Sequence, residues 1–350
     1  MKPAIPPTDT SAARPTEPLQ IGDVRVPGRV LIAPMTGVSD LPFRQMAVRT
    51  GAAYVATEMV ACAELARGRP DVVRRAAVGE GMPLTVIQLV GARADWFAEG
   101  ARMAQAAGAD IIDLNFGCPS KEVTGSQSGS ALMRDLDHAE SLIRAAVSAT
   151  KRPVTVKMRL GWDDASKNAP DLARRAERLG VQAITVHGRT RQQFYKGQAN
   201  WHDVADVKAA VSIPVIVNGD ITDVASARTA LSQSGADGVM IGRGIYGRPW
   251  FAAQLEKALR DGTWLQEPNQ AERLDHVLTH LWASVGFYGE RLGLNMFRKH
   301  LGWYIETAPF EPDPVRRRED KARLCRLETA RAVALALEAL WGPNSDRDAA

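Results

Sequence analysis

Eight short runs rich in β-branched residues recur about every 30 residues through the first 245 positions, and they limit the fold more than any other feature of the chain. They read "RVLIAPM" from Arg29, "AAYVATEM" from Ala52, "LTVIQLV" from Leu84, "IIDLNFG" from Ile111, "PVTVKMRL" from Pro153, "QAITVHGR" from Gln182, "IPVIVNGD" from Ile213 and "DGVMIGRG" from Asp237. Most are followed by apolar residues at helical spacing, as in "DWFAEGARMAQAAGA" and "APDLARRAERLGV". A doubly wound open sheet could carry such units. Polar residues at nearly every strand end, repeated through eight units, favour a closed (β/α)8 TIM barrel instead, because such barrels gather their chemistry at the C-terminal ends of the strands.

After Trp250 no further strand pattern is found. "AERLDHVLTHLWASV" places Leu274, Val277, Leu278 and Leu281 on one helical face, and "ARLCRLETARAVALALEALW" has similar spacing. The expected organisation is therefore a disordered tail over residues 1–20, a barrel over 21–252 and a small all-helical C-terminal domain over 253–342.

The length of 350 residues accommodates a barrel with such an appendage. Its three cysteines, Cys62, Cys118 and Cys325, are far apart, with neither disulfide-framework nor metal-ligand spacing. No metal site is expected, and a reducing, cytoplasmic compartment is. The first twenty residues lack the apolar segment of a signal peptide, and no run approaches the ~18 apolar residues that span a bilayer. A net charge of +4 permits an anionic partner without demanding one.

The strand ends carry the unusual residues. Alternation in "VTVKMRL" sends Lys157 and Arg159 to the face opposite Val156, Met158 and Leu160. The apolar face suits the surrounding helices, so the two cations face the barrel mouth; burying an unpaired charge for packing alone is costly. In the next run His187 and Arg189 share a face in the same way, and Gln88 lies in the third run. The last two runs end in Asn218-Gly219-Asp220 and Gly242-Arg243-Gly244. Glycines let backbone N–H groups approach a phosphate, and Arg243 adds counter-charge, at the two loops where such barrels commonly hold one. The ligand is then a phosphosugar or a mononucleotide such as FMN. Lys157 suits FMN, because a cation beside the pyrimidine edge of a flavin stabilises the reduced ring. Cys118, between Gly117 and Pro119 at a strand end, is placed for chemistry, whereas Cys325 inside the last helix reads as a packing thiol.

Seven ordered motifs extend these readings. They are "APMTGVSDLPFR" (33–44), "NFGCPSKEVTGSQSGSAL" (115–132), "VKMRLGW" (156–162), "HGRTRQQFYKGQANW" (187–201), "PVIVNGDI" (214–221), "GVMIGRGIYGRPW" (238–250) and "RKHLGWY" (298–304). Together they resemble the tRNA-dihydrouridine synthases over residues 28–310, most nearly the bacterial B-type branch. The resemblance implies FMN-dependent reduction of the C5–C6 bond of uridine in the D-loop region of tRNA, with NADPH as electron donor. Pro34, Met35 and Thr36 would line the flavin, Gln88 and Lys157 would contact its ring, and His187 would lie beside it. Asn218, Gly219, Asp220, Gly242 and Arg243 would bind the phosphate region. Cys118 matches the proton donor to C5; an ordinary thiol is mostly protonated at neutral pH and can donate. Asn115 and Arg159 would position the substrate, and the Gly- and Ser-rich stretch from Gly125 to Ser130 would give a mobile loop over the base. Thr36 and Phe116 stand where Ala and Met are frequent in the family.

Between Arg291 and Arg331 ten Lys/Arg face six Asp/Glu, with Trp303 and Tyr304 interleaved. With the resemblance, the helical domain becomes the tRNA grip, through "RKHLGWY" (Arg298, Lys299) and "RRREDKAR" (316–323). A monomer is expected. The rival readings are an FMN-dependent ene-reductase acting on a free pyrimidine, a tRNA-binding protein without catalysis, and a phosphosugar lyase or isomerase.

Overall fold

The computed structural model describes residues 17–342. Ten strands are present among them: β1 (Leu19–Ile21), β2 (Val24–Val26), β3 (Val30–Ile32), β4 (Ala56–Ala61), β5 (Val86–Val90), β6 (Ile111–Phe116), β7 (Val154–Arg159), β8 (Ala183–His187), β9 (Val215–Asn218) and β10 (Gly238–Ile241). The last eight form one parallel sheet in the order β3-β10-β9-β8-β7-β6-β5-β4. A parallel bridge between Ile32 and Val55 closes it, with Ile32 N donating to Tyr54 O at 3.0 Å. Each of the eight β-branched runs is one barrel strand.

Strand alternation sorts the side chains into two cores. Ile32, Ile87, Leu114, Val156, Val186 and Val217 point outward into the layer beneath the helices, joined by Phe97, Leu142 and Leu172 from those helices. Leu31, Val86, Ile111, Ala183, Ile216 and Met240 point inward and fill the lower end of the barrel. The β1–β2 hairpin plugs that end with Leu19, Ile21 and Val26, all nearly inaccessible. Leu19 and Gln20 thus belong to a strand, although the disordered tail was expected to run to residue 20. Residues 1–16 of that expectation lie outside the described residues. Above the plug the inward face turns polar, because Asp113 and Thr155 pair in register and Asn115 and Lys157 follow one layer higher.

The helix Phe251–Arg260 belongs to the barrel, so the boundary expected at 252/253 lies too early. Phe251, Ala252 and Leu255 enter the outer core, and Glu256 accepts the backbone N–H groups of Arg29 (2.7 Å) and Val30 (2.9 Å) at the start of β3. The separate helical core is built from Gln270–Tyr288, Glu290–Glu306, Pro314–Leu324 and Ala330–Trp341. Asn269 and Glu272 form a capping box that starts the first of these. Val277 and Leu281 are fully buried there, with Leu274 and Leu278 packed beside them; Cys325 is half-buried against this core but caps Pro314–Leu324 rather than lying inside the last helix, because the stretch expected as one helix breaks before Ala330.

This helical unit sits on the barrel mouth. The Trp303 ring stacks on Tyr246 with centroids 3.8 Å apart and planes 8° from parallel. Thr307 Oγ1 donates to Gly247 O at 3.1 Å, at a residue with φ of 68° where an added Cβ would strike the Trp303 carbonyl. Tyr304 is buried, with its hydroxyl 3.2 Å from His280 Nδ1. The two aromatic residues expected to interleave with RNA are thereby used in packing. Trp303 packs on the barrel and Tyr304 inside the helical core, where burial of their apolar area outweighs exposure.

Candidate active site

At the C-terminal ends of the strands the barrel opens into a cleft of about 1220 Å³. Lys157, carried up by β7, extends Nζ to Asn218 Oδ1 at 3.1 Å, and Asn218 Nδ2 donates to Met240 O at 2.7 Å. Burial, with Arg159 adding to it, lowers the Lys157 ammonium to about 8. Beneath it the Asp113 carboxyl is raised by burial to about 6, despite hydrogen bonds from Thr155 and Gln88. On the other side His187 Nε2 lies 3.2 Å from the Arg189 guanidinium. A guanidinium only donates, so this nitrogen accepts and the ring proton resides on Nδ1. Burial first, and then Lys157, Arg159, Arg189 and Arg243, hold His187 well below the ordinary imidazole range, hence neutral.

A chain of hydrogen bonds connects the barrel interior to the cysteine. Gln88 Nε2 donates to Asp113 Oδ2 at 2.6 Å, and Asn115 Nδ2 donates to Gln88 Oε1 at 2.8 Å. Asn115 Oδ1 then accepts the backbone N–H groups of Cys118 (2.9 Å) and Gly117 (3.2 Å). From the far side, Ser130 N and Oγ both donate to Cys118 O, at 3.0 and 2.9 Å. The thiol is left half-exposed in the cleft, with Sγ 3.5 Å from Ser120 Oγ.

The phosphate end is built from the loops after β9 and β10. Gly219 has φ of 119°, and a Cβ there would stand 3.0 Å from His187 Cδ2, so only glycine lets this loop pass the ring. Gly244 packs so closely on Ile221 O that the two loops form one surface. Gly242, Gly244 and Gly247 have the GxGxxG spacing, yet β10 leads into the three-residue 3-10 turn Arg243–Ile245 rather than into the helix of a dinucleotide fold.

All the expected flavin and phosphate residues line this one cleft: Pro34, Met35 and Thr36 after β3, Gln88, Lys157 and His187 on the strands, and Asn218, Gly219, Asp220, Gly242 and Arg243 at the last two loops. Cys118, Asn115 and Arg159 line it too. Several of these side chains also hold the protein's own loops. Arg159 is 1% exposed and donates through Nε and Nη1 to three carbonyls, Gly117 O (2.8 Å), Thr190 O (2.9 Å) and Phe194 O (2.8 Å), so it braces these loops. Both ends of the Asn115 amide are likewise engaged with protein groups. Asp220 accepts from Arg189 (2.6 Å) and Ala199 N (2.8 Å) and lies 3.5 Å from Arg243. A carboxylate repels phosphate, so its work is to hold those arginines. Of the stretch expected to form a loop over the base, Gly125 to Gln127 are exposed, while Gly129 and Ser130 are buried against Cys118.

Arg298 and Lys299 are not brought to the cleft. Arg298 bonds to Asn295 Oδ1 (2.6 Å) and Leu327 O (3.1 Å) inside the helical unit. Lys299 lies against Gly37, facing Asp40 and Glu58. Tyr195 at the cleft and Asp113 beneath it carry no expectation in the sequence, and Arg189, expected only to share the face of His187, also holds Asp220. Tyr195, with Arg159 and Arg243 at 5.6 and 5.4 Å from its ring, lies in an irregular loop that has no periodicity to mark it.

With a half-buried cysteine beside a lysine, a neutral histidine and two glycine loops at the mouth of a parallel barrel, the chain is of the flavin-dependent oxidoreductase class. Its fold is shared by morphinone reductase, which aligns with a TM-score of 0.51 and 16% identity over 75% of this chain and 94% of its own. The chain belongs to the dihydrouridine synthase (Dus) family, whose model matches residues 31–335. A probable tRNA-dihydrouridine synthase of Rhodobacter capsulatus is 49% identical over 89% of this chain and 97% of its own length. The tRNA-dihydrouridine synthase B of Pseudomonas putida is 43% identical over 83% of this chain and 86% of its own.

Proposed function

We propose that this chain reduces a uridine of tRNA to dihydrouridine, with FMN as resident cofactor and NADPH as electron donor. The observation that carries the reading is the half-exposed thiol of Cys118, clamped by Asn115 and Ser130, in the same cleft as Lys157 and the two glycine loops.

The residues present fit FMN. The glycine loops and Arg243 offer N–H groups and positive charge to its phosphate. Lys157 and Gln88 suit the polar edge of the ring, and Pro34 to Thr36 and His187 its flanks. When bound, FMN supplies the hydride that reduces C6 of the base. The cleft exceeds the ~300–1,000 Å³ of ordinary small-molecule pockets, which leaves room for a flipped base beside the cofactor.

The chain's own work is orientation, charge and proton delivery. Lys157, costly to keep charged where it lies, becomes favourable once negative charge develops beside it. Cys118 Sγ–H holds the proton destined for C5 and passes it to the base as the hydride arrives, leaving a thiolate that is reprotonated from solvent. Ser120 Oγ lies 3.5 Å from that sulfur. Arg316 and Arg318, exposed on the helix Pro314–Leu324, offer charge to the RNA backbone.

The reading is tested by incubating purified protein with NADPH and an unmodified tRNA transcript, then digesting the RNA for mass spectrometry. A fragment heavier by two hydrogens is expected from tRNA, with no reduction of free UMP. Full turnover on UMP without tRNA would replace this reading by a small-molecule ene-reductase.

A further inference from the structure

We propose that Asp40, His280 and His300 form a binding site for a divalent metal ion of the zinc class, which fastens the helical unit to the barrel mouth. None of the three lines the catalytic cleft. Asp40 is the N-cap of the helix Leu41–Arg49 that follows β3, His280 lies on Gln270–Tyr288 and His300 on Glu290–Glu306. One donor atom from each lies within 4.8 Å of the other two, and all three residues are at most 3% exposed.

The second observation is what the histidines leave undone. Nε2 of His280 and Nε2 of His300 are both buried and have no hydrogen-bond partner. A buried polar atom without a partner costs about 1–3 kcal/mol, so two of them on residues of one buried cluster are an expensive arrangement for packing alone. The other nitrogen of His280, Nδ1, lies 3.2 Å from the Tyr304 hydroxyl. A proton on Nδ1, donated to that oxygen, leaves the Nε2 lone pair free to ligate, the outer-shell arrangement common to metal-binding histidines. The carboxylate is held as well. Asp40 Oδ2 accepts from Tyr288 OH at 3.1 Å and Oδ1 from Phe43 N at 3.1 Å.

The donor set selects the metal. Two imidazoles and one carboxylate suit zinc and its neighbours, whereas magnesium and calcium demand more oxygen ligands than this place offers. Both rings are kept neutral by burial, as ligands must be. Arg44 and Lys299 already face the Asp40 and Glu58 carboxylates, so the region does not draw hard cations by charge alone. Metal–ligand bonds of about 2.0–2.2 Å require the donors to draw together through side-chain rotation. Such an ion would tie the helix Leu41–Arg49 of the barrel to two consecutive helices of the helical unit. It would also anchor the segment whose front, Pro34 to Thr36, lines the cleft.

The test does not depend on the activity. Untagged protein purified without chelator is analysed for metal, stripped by dialysis against a chelator, and titrated with Zn2+ and with Co2+. About one zinc per chain is expected, with a higher thermal midpoint in zinc than in chelator and visible ligand-field bands on addition of cobalt. His300→Gln and Asp40→Asn, the latter keeping the helix cap, should weaken zinc binding by more than ~10-fold while FMN absorbance is retained. Should either variant fail to fold, the wild-type cobalt spectrum decides. Metal below about a tenth per chain, with no cobalt bands and a midpoint indifferent to zinc and chelator, would overturn the proposal and leave a packed aromatic cluster with Phe43, whose ring stacks 5.4 Å from His300.

Discussion

Asn115 Oδ1 receives the backbone N–H of Cys118 at 2.9 Å, while the same amide is fixed from behind by Gln88. The position of the thiol therefore depends on a barrel side chain three residues earlier, which is itself oriented through Gln88 by the buried Asp113 carboxylate. Asn115→Ala should leave two N–H groups of the cysteine loop without their acceptor. Hydride uptake from NADPH is expected to stay within about 2-fold, while oxidation of the reduced flavin by tRNA slows by more than ~10-fold, the scale of a lost hydrogen bond to buried groups. Single-turnover kinetics of the two halves separate these outcomes; equal slowing of both would deny Asn115 this positioning role.

Lys157 gives a pH signature. Its folded value, about 8, lies below the ordinary lysine value of 10.5. Below pH 8 both states are protonated and the cost of the buried charge is fully present. Between about 8 and 10.5 the unfolded chain holds more protons than the folded one, so stability rises with pH. Thermal midpoints of flavin-free protein, compared with Lys157→Met to cancel other groups, should converge upward across that window. A difference that stays constant with pH would show that Lys157 is not desolvated in solution.

Arg159→Lys tests whether the guanidinium is a brace. Its three carbonyl partners radiate in directions that one ammonium cannot reach together. A loss of about 2–4 kcal/mol of stability is expected, from hydrogen bonds to a charged group and carbonyls left unpaired. Chemical denaturation measures it. A variant with wild-type stability and a raised KM for tRNA would return Arg159 to substrate binding.

Arg316→Ala with Arg318→Ala should weaken tRNA binding and flatten its dependence on salt by about 0.7–0.9 in slope for each phosphate no longer neutralised. Arg317 is a poorer probe, since it already donates to Glu306 O at 2.9 Å. Filter binding across a salt series reads the slope. An unchanged slope would remove the helix Pro314–Leu324 from the interface.

The barrel is legible in the sequence because alternation of β-branched and polar residues is a local property. The same alternation is enough to place Lys157 and His187 at the mouth. The β1–β2 hairpin escapes because two three-residue strands carry little periodicity and follow a Pro- and Thr-rich segment. The helix Phe251–Arg260 is hard to assign to its unit since helical spacing is alike on both sides of the boundary; only its packing under β3 distinguishes it. Arg298, Trp303 and Tyr304 look like an RNA-facing cluster until neighbouring elements show which side of their helix is covered. Asp40, His280 and His300 lie too far apart in sequence to suggest a common ligand.

The most direct measurement compares wild type with Cys118→Ala in two anaerobic steps: bleaching of the flavin bands by NADPH, then their return on addition of unmodified tRNA. The predicted result is normal bleaching in both proteins, with rapid return in wild type and return slowed by orders of magnitude in the variant. Equal rates of return would show that Cys118 does not deliver the proton. Loss of bleaching as well would show that the cysteine maintains the flavin site instead.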